Sequence, residues 1–520
     1  MAKFYVTTAI DYVNGRPHLG HAYEKILADV LARYQRSLGN EVFFLTGVDE
    51  HGQKNQQSAQ ARGIDPQAFC DEMTGHFRGL WDRLNIRYDG FARTTDSLHK
   101  KAVRESLQKL HDKGEIYFKE HEGYYSQRQE QFVTEKDMVD GKWPEIYGEV
   151  VKTAEPNYFF KLSQYQGWLT DYIQAHPDFI FPTFRRNEVL GALEKPLNDL
   201  CISRPKSRLE WGIPLPFDEN YVTYVWFDAL VNYVSFASGH WPAQAHVIGK
   251  DILIPAHAVY WPIMLKALGL EQPRQLVVHG WWMNRGAKMS KSVGNAVDPA
   301  PYVDRFGADA LRYFVMRDMV LGQDSDFTDE KIQQRYQSDL GNDLGNLVNR
   351  TLSMLQKYRE GVVPRYDASL MNEGDRELAG DLAVDEYRKA MDGYQVHAAL
   401  QAVWRLIQKA NQYVDQNAPW KLAKDPAGAG RLDLVLAHLA ETVRRLSILV
   451  EPVLPVTAEK IRGQLRWTGP CASVEDARFG AALQGHQAGS PEQLFPRLEE
   501  KVEEEPDRRE SLPPRGARVP

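Results

Sequence analysis

Hydrophobic and polar positions alternate from Lys3 to Ala9, with β-branched residues among them, which predicts a strand. The turn residues Val13-Asn14-Gly15-Arg16-Pro17 follow. The pattern then changes to helical periodicity from His18 to Leu38 and stops at Gly39-Asn40. Glu41 to Gly47 reads as a second strand. Strand, turn, helix and strand in that order open a parallel α/β sheet. From about Ile116 to Trp211 the segments are short, with Gly, Pro and aromatic residues interleaved, which predicts a domain inserted between two halves of the sheet. Strand patterns return at Tyr221–Trp226, His246–Ile248 and Gln275–Val278. From about Lys331 the chain reads as helix throughout. Leu340, Leu344, Leu347, Thr351 and Leu355 recur at helical spacing, as do Leu432, Leu436, Leu439, Val443, Leu446 and Leu449, and these stripes predict a helical bundle. The residues from about Leu498 onward are Glu-, Arg- and Pro-rich and predict a disordered tail.

Composition narrows the class. At 520 residues the chain exceeds one core, so three or four domains are expected. Hydrophobic residues at 43% and charged residues at 26% are an ordinary globular balance. The formal net charge of -7 does not exclude nucleic acid, but a polyanion would have to be met by local basic patches. Cys70, Cys201 and Cys471 lie far apart with no C-x-x-C pair, which argues against a disulfide framework or a local zinc knuckle and fits a reducing cytoplasm. Met1 to Val6 runs straight into the first strand without a targeting-peptide pattern. The most apolar run, Tyr221 to Ala237, is interrupted by Asp228 and Asn232, so it reads as a buried strand-to-helix segment and not as a membrane span.

Two short motifs carry chemistry. His18-Leu19-Gly20-His21 sits where the first strand turns into the first helix. A helix N-terminus offers backbone donors and a positive dipole end, which suits phosphate. Two imidazoles three residues apart on that helix can follow charge developing on an attacked phosphorus, and Gly20 lets a nucleotide approach the backbone. The glycine fingerprint of dinucleotide-binding proteins and the G-x-x-x-x-G-K phosphate loop are both absent. Lys288-Met289-Ser290-Lys291-Ser292 lies between Gly286 and Gly294, the composition of a mobile arm whose lysines neutralise polyphosphate. Taken singly, the first motif is also compatible with surface histidines at a helix start and the second with a solvated basic turn.

Both motifs together, in this order and on either side of an inserted domain, resemble the class I aminoacyl-tRNA synthetases. Ala9 to Gly15, Thr46 to Gly52, Ile202-Ser203-Arg204-Pro205, Trp211-Gly212-Ile213-Pro214 and Tyr224-Val225-Trp226-Phe227-Asp228-Ala229 narrow the resemblance to the methionyl-tRNA synthetase family, over about residues 3 to 460. The resemblance implies a Rossmann-like catalytic domain at 1–115 and 222–290, an inserted connective domain at 116–221, and a stem-contact region at 291–340. It further implies an all-α anticodon-binding domain at 341–480 and a tail at 481–520.

It also implies roles. His18, His21, Lys288 and Lys291 would be catalytic; Gly20, Glu24, Gly249, Asp251, Met289, Ser290 and Ser292 would hold ATP. Asp49 would take the methionine ammonium, while Ile10, Tyr12, Trp226, Ala229, Leu230, Tyr233 and His257 line its side-chain pocket. Asn346 and Arg350, four apart on one helix face, and Trp420 beside Pro419 would read the anticodon. Without the resemblance, Trp420 and the pocket aromatics would read as core, and Asp49 and Glu24 as a turn residue and a solvated helix residue. The implied reaction joins L-methionine to tRNA(Met) with ATP and Mg²⁺, serving both initiation and elongation. Rival readings are another class I synthetase, a small nucleotidyltransferase, and a non-catalytic tRNA-binding paralogue.

The sequence departs from the family pattern in three places. Where many relatives carry paired zinc-binding cysteines, it reads Tyr125-Ser126-Gln127-Arg128-Gln129 and Lys142-Trp143-Pro144-Glu145, so no zinc is expected and Tyr124, Tyr125, Phe132 and Trp143 are expected to pack instead. Asp11 and Leu230 stand where some relatives have other residues. After Gln493-Leu494-Phe495-Pro496 little chain remains, and without an appended oligonucleotide-binding domain a monomer is expected.

Overall fold

The computed structural model describes residues 2–126, 131–133, 138, 140–289, 294–480 and 482–498. Strand β1 (Lys3–Thr8) feeds the long helix α1 (Leu19–Ser37), which returns to β2 (Glu41–Asp49). β1 pairs in parallel with β2 on one side and with Ala245–Gly249 on the other, and the latter pairs with Leu276–His279. Asp11–Tyr12 and Gly90–Arg93 also join β2 in parallel. All the pairings in this seven-stranded sheet are parallel, the geometry expected of a doubly wound α/β layer.

Helix α1 is buried almost all round: Ala22 through Ala32 is a continuous buried run. Its C-terminal half meets two other parts of the chain. The buried Asp29 carboxylate binds Arg33 and Arg312, and Arg312 also donates to the carbonyls of Leu84, Pro452 and Val453. That one guanidinium ties the sheet layer to the helical part of the chain.

Two segments differ from the sequence-based expectation. Ile180–Phe181, inside the stretch expected to be a single insert, pairs in parallel with Leu276–Val277 at the edge of the main sheet. Two residues are too short to show a period. Elsewhere in that stretch a separate antiparallel sheet forms, dominated by the pairing of Ile116–Ser126 with Val150–Phe160, beside the helices Gln166–Ala175 and Thr183–Ala192. Tyr221–Trp226 is strand only to Thr223; Val225–Leu230 is helix. β-branched and aromatic residues suggested strand, but Asp228 must turn inward to meet two histidines, and a helical turn achieves this.

The C-terminal part is helical, with Asn346–Arg359, Val396–Asn417 and Ala429–Leu449 as its long members. Residues 482–498 fold back on it: Leu494 and Phe495 are buried, and the Tyr336 hydroxyl donates to the Pro496 carbonyl. The expected disorder from about Leu498 concerns residues that, from 499 on, lie outside the described part. Tyr124 and Trp143 pack with ring centroids 5.2 Å apart. Residues 127–130 and the side chains of Tyr125 and Phe132 lie outside the described part. Among the described residues no helix is long and apolar enough to cross a membrane.

Candidate active site

The two histidines of the first motif build the N-terminus of α1. His18 is the N-cap: its Nδ1 accepts from the Gly20 N–H at 3.0 Å, while His21 Nδ1 accepts from the His18 N–H at 3.0 Å. This is a capping box made of two imidazoles, a part normally played by hydroxyls and carboxylates. With each Nδ1 occupied as an acceptor, a neutral ring carries its proton on Nε2. The rings lie 3.8 Å apart, and a Cβ at Gly20 would come within 2.9 Å of the His18 ring, so glycine is needed to seat the imidazole as well as to clear the backbone.

A cavity of about 450 Å³ opens at the C-terminal edge of the sheet, where parallel α/β folds bind ligands. Its wall brings together His18, Gly20, His21, Glu24, Gly249, Asp251, Lys288 and Met289 from the nucleotide set. The same wall holds Ile10, Tyr12, Asp49, Trp226, Ala229, Leu230, Tyr233 and His257 from the methionine set. The two distant motifs thus converge on one space. Ser290, Lys291 and Ser292 lie outside the described residues.

Lys288 rests with its Nζ 3.7 Å from the Trp281 ring centroid and 3.5 Å from Asp251. Lys250 meets the same indole at 3.9 Å. Gly249 lets the Asp251 carboxylate lie close against the main chain: a Cβ there would stand 2.6 Å from it and push it aside.

In the other half of the cavity the polar groups are buried and fixed. His257 Nδ1–H donates to the Ile252 carbonyl at 2.9 Å, so its Nε2 accepts from the Tyr233 hydroxyl at 2.7 Å. Burial holds His257 down to about 4 and pushes Tyr233 well above its usual range, so both are neutral. Behind Trp226 and Ala229, the Asp228 carboxylate binds His51 at 2.6 Å and His99 at 2.7 Å. Burial would raise Asp228, but the two imidazoles prevail and hold it at about 2. This pairing fixes the Val225–Leu230 helix against the turn after Asp49. Asn55 braces that turn by donating to the carbonyls of Asp49 and Glu50.

Glu24 reaches the cavity wall, but its oxygens are engaged, one by Lys25 at 2.9 Å and the other by His279 at 3.0 Å. The sequence-based reading missed Lys25, His279 and Trp281.

Outside the cavity wall, Asn346 and Trp420 are exposed, Trp420 by 41%. Arg350 pairs with Asp415 at 2.7 Å, close in sequence to the turn that presents Trp420. Among the described residues no group of three or more His, Cys, Asp or Glu side chains is placed to hold a metal ion.

The family model for tRNA synthetases class I (M) matches residues 4–153 and 146–352, and that for the anticodon binding domain of methionyl tRNA ligase matches 364–511. The chain belongs to the methionyl-tRNA synthetase family. It is 43% identical over 516 residues to the methionine–tRNA ligase of Caldanaerobacter subterraneus subsp. tengcongensis, covering 96% of this chain and 80% of that one. It is 44% identical over 515 residues to that of Deinococcus radiodurans, covering 96% and 75%. The Mycobacterium tuberculosis methionyl-tRNA synthetase in complex with methionyl-adenylate superposes with a TM-score of 0.89 at 40% identity, covering 96% of this chain and all of that chain. A member of this family is an ATP-dependent ligase, and the parallel-sheet domain followed by a helical domain is the family's architecture.

Proposed function

We propose that the cavity activates L-methionine with ATP, supplied as its magnesium complex, and passes the methionyl group to the 3′ end of tRNA(Met). One observation carries the reading: His18, His21 and Lys288 line one cavity with Asp49, Trp226, Tyr233 and His257. Asp49 holds the amino acid's ammonium, and the aromatic and aliphatic wall takes the thioether. The methionine carboxylate, already ionised at neutral pH, attacks the α-phosphorus; the new O–P bond forms as the bond to the leaving diphosphate breaks. The Nε2–H groups of His18 and His21 and the lysines of the second motif follow the charge as it moves. Asp251 takes the ribose hydroxyls, which releases its hold on Lys288. In the second step a ribose hydroxyl of the tRNA attacks the methionyl carbonyl and AMP leaves, with proximity supplying much of the rate.

Asn346, Arg350 and Trp420 are proposed to meet the anticodon, supported by the exposure of Asn346 and Trp420 and by the place of Arg350 one turn beyond Asn346 on the same helix. A cavity whose described wall comes from one chain supports a monomer, and three unpaired cysteines support the cytoplasm. The product would serve initiation and elongation alike. The test is exchange of labelled diphosphate into ATP, which should depend on methionine alone; exchange driven by leucine or isoleucine would overturn the substrate.

A further inference from the structure

Lys25 is fully buried behind the cavity wall, and its ammonium uses all three of its donors: to Asp11 Oδ1 at 2.6 Å, Glu24 Oε1 at 2.9 Å and the Ala9 carbonyl at 3.1 Å. The two carboxylates it joins both reach the cavity. Asp11 sits between Ile10 and Tyr12 on the methionine side. Glu24 lies one turn beyond His21 on the nucleotide side, and its other oxygen meets His279, whose second nitrogen donates to the Gly280 carbonyl just before Trp281. One buried cation therefore links the methionine wall, the signature helix and the strand leading to the Lys288 arm. A buried ion cluster is a poor way to gain stability, because desolvation offsets most of its attraction and apolar packing does as well. Its position under both halves of the cavity points elsewhere.

We propose that Lys25 is a positioning residue for methionine activation, holding the Ala9–Tyr12 segment and the Glu24 carboxylate in one fixed relation through Asp11 and Glu24. The proposal rests on the ligase reading above. Burial opposes the charge of Lys25, but Asp11 and Glu24 hold its ammonium above the ordinary lysine range; burial would raise Glu24, but Lys25 and His279 hold it below its usual value. Tyr233 and His257, both neutral, also sense Asp11 or Glu24, and the Trp81 ring lies 5.9 Å from the ammonium. Without Lys25 the buried Asp11 and Glu24 carboxylates lose the cation they share, which favours protonation of one of them.

The test compares wild type, Lys25→Met and the charge-balanced Asp11→Asn/Lys25→Met in methionine-dependent diphosphate exchange across pH 5 to 8.5, with KM read separately for methionine and ATP. Lys25→Met is expected to raise both KM values by about ten-fold or more, and the defect should deepen as pH rises through a new ionisation absent from wild type. The double variant should lose that ionisation and recover part of both KM values. Wild-type KM values and pH profile in Lys25→Met would overturn the proposal. If that variant fails to fold, the double variant decides: a wild-type pH profile with both KM values still raised supports the proposal, and wild-type KM values or a failure to fold overturn it. A wild-type enzyme without exchange would instead overturn the ligase reading, so the two failures are distinct.

Discussion

The Tyr233 hydroxyl donates to His257 Nε2 at 2.7 Å inside the apolar half of the cavity, and the opposite nitrogen of the ring is tied to a main-chain carbonyl. The phenol oxygen keeps its lone pairs, and the imidazole has no direction left to turn. Tyr233→Phe would leave a buried nitrogen without its donor, at about 1–3 kcal/mol, or about 5- to 150-fold. The loss should fall on KM for methionine in the exchange assay and leave KM for ATP within a few-fold of wild type. An equal rise in both would show that Tyr233 supports the whole cavity.

His257 also sets an acid limit. Its ring is held at about 4 in the folded chain, against an ordinary value near 6.5. The folded state therefore binds fewer protons than the unfolded state between those values, and stability falls as pH drops through that window. Above pH 6.5 the contribution is fully present. Melting temperatures measured from pH 7 to 4 should decline, and His257→Gln should decline less steeply than wild type. Parallel declines would assign the acid sensitivity to other groups, with His246 the first to examine, since burial lowers it too.

His18 has two duties that a substitution can separate. As N-cap its Nδ1 satisfies the Gly20 N–H, and as a proposed phosphate ligand its Nε2 donates. His18→Ala loses both: about 1 kcal/mol of helix stability and about 10²–10³ in the rate of exchange. Asparagine is a good N-cap, so His18→Asn should melt with wild type and still lose most of the exchange rate. A fully active His18→Asn would confine His18 to capping.

Much of this arrangement was legible in the chain. The strand-turn-helix-strand opening follows from periods of two and 3.6, and the resemblance named cavity residues as distant as Ile10 and Met289 that do meet on one wall. Ile180–Phe181 was not legible, because a two-residue strand takes its identity from the neighbour it pairs with. Nor was Lys25: its role depends on Asp11 and His279, fourteen residues before it and on the far side of the inserted stretch, and no local pattern records such a meeting. Trp420 shows the opposite case. Without the resemblance it reads as core, and 41% exposure next to the turn at Ala418 removes that reading.

That exposure makes Trp420 a sharp test of the division of labour between the two ends of the molecule. A tryptophan in the core leaves a destabilising cavity when cut to alanine; an exposed one loses little. Trp420→Ala should therefore melt with wild type. If its ring stacks on an unpaired base, the change removes about 1–3 kcal/mol of tRNA binding, or about 5- to 150-fold in kcat/KM for tRNA. Methionine-dependent diphosphate exchange needs no tRNA and should be unchanged. Arg350→Ala should behave alike but with a shallower dependence of charging on salt, since a guanidinium near phosphate adds an ionic contact that a stacked ring does not. Loss of exchange together with charging in Trp420→Ala would mean that the ring supports the bundle's shape and does not touch tRNA.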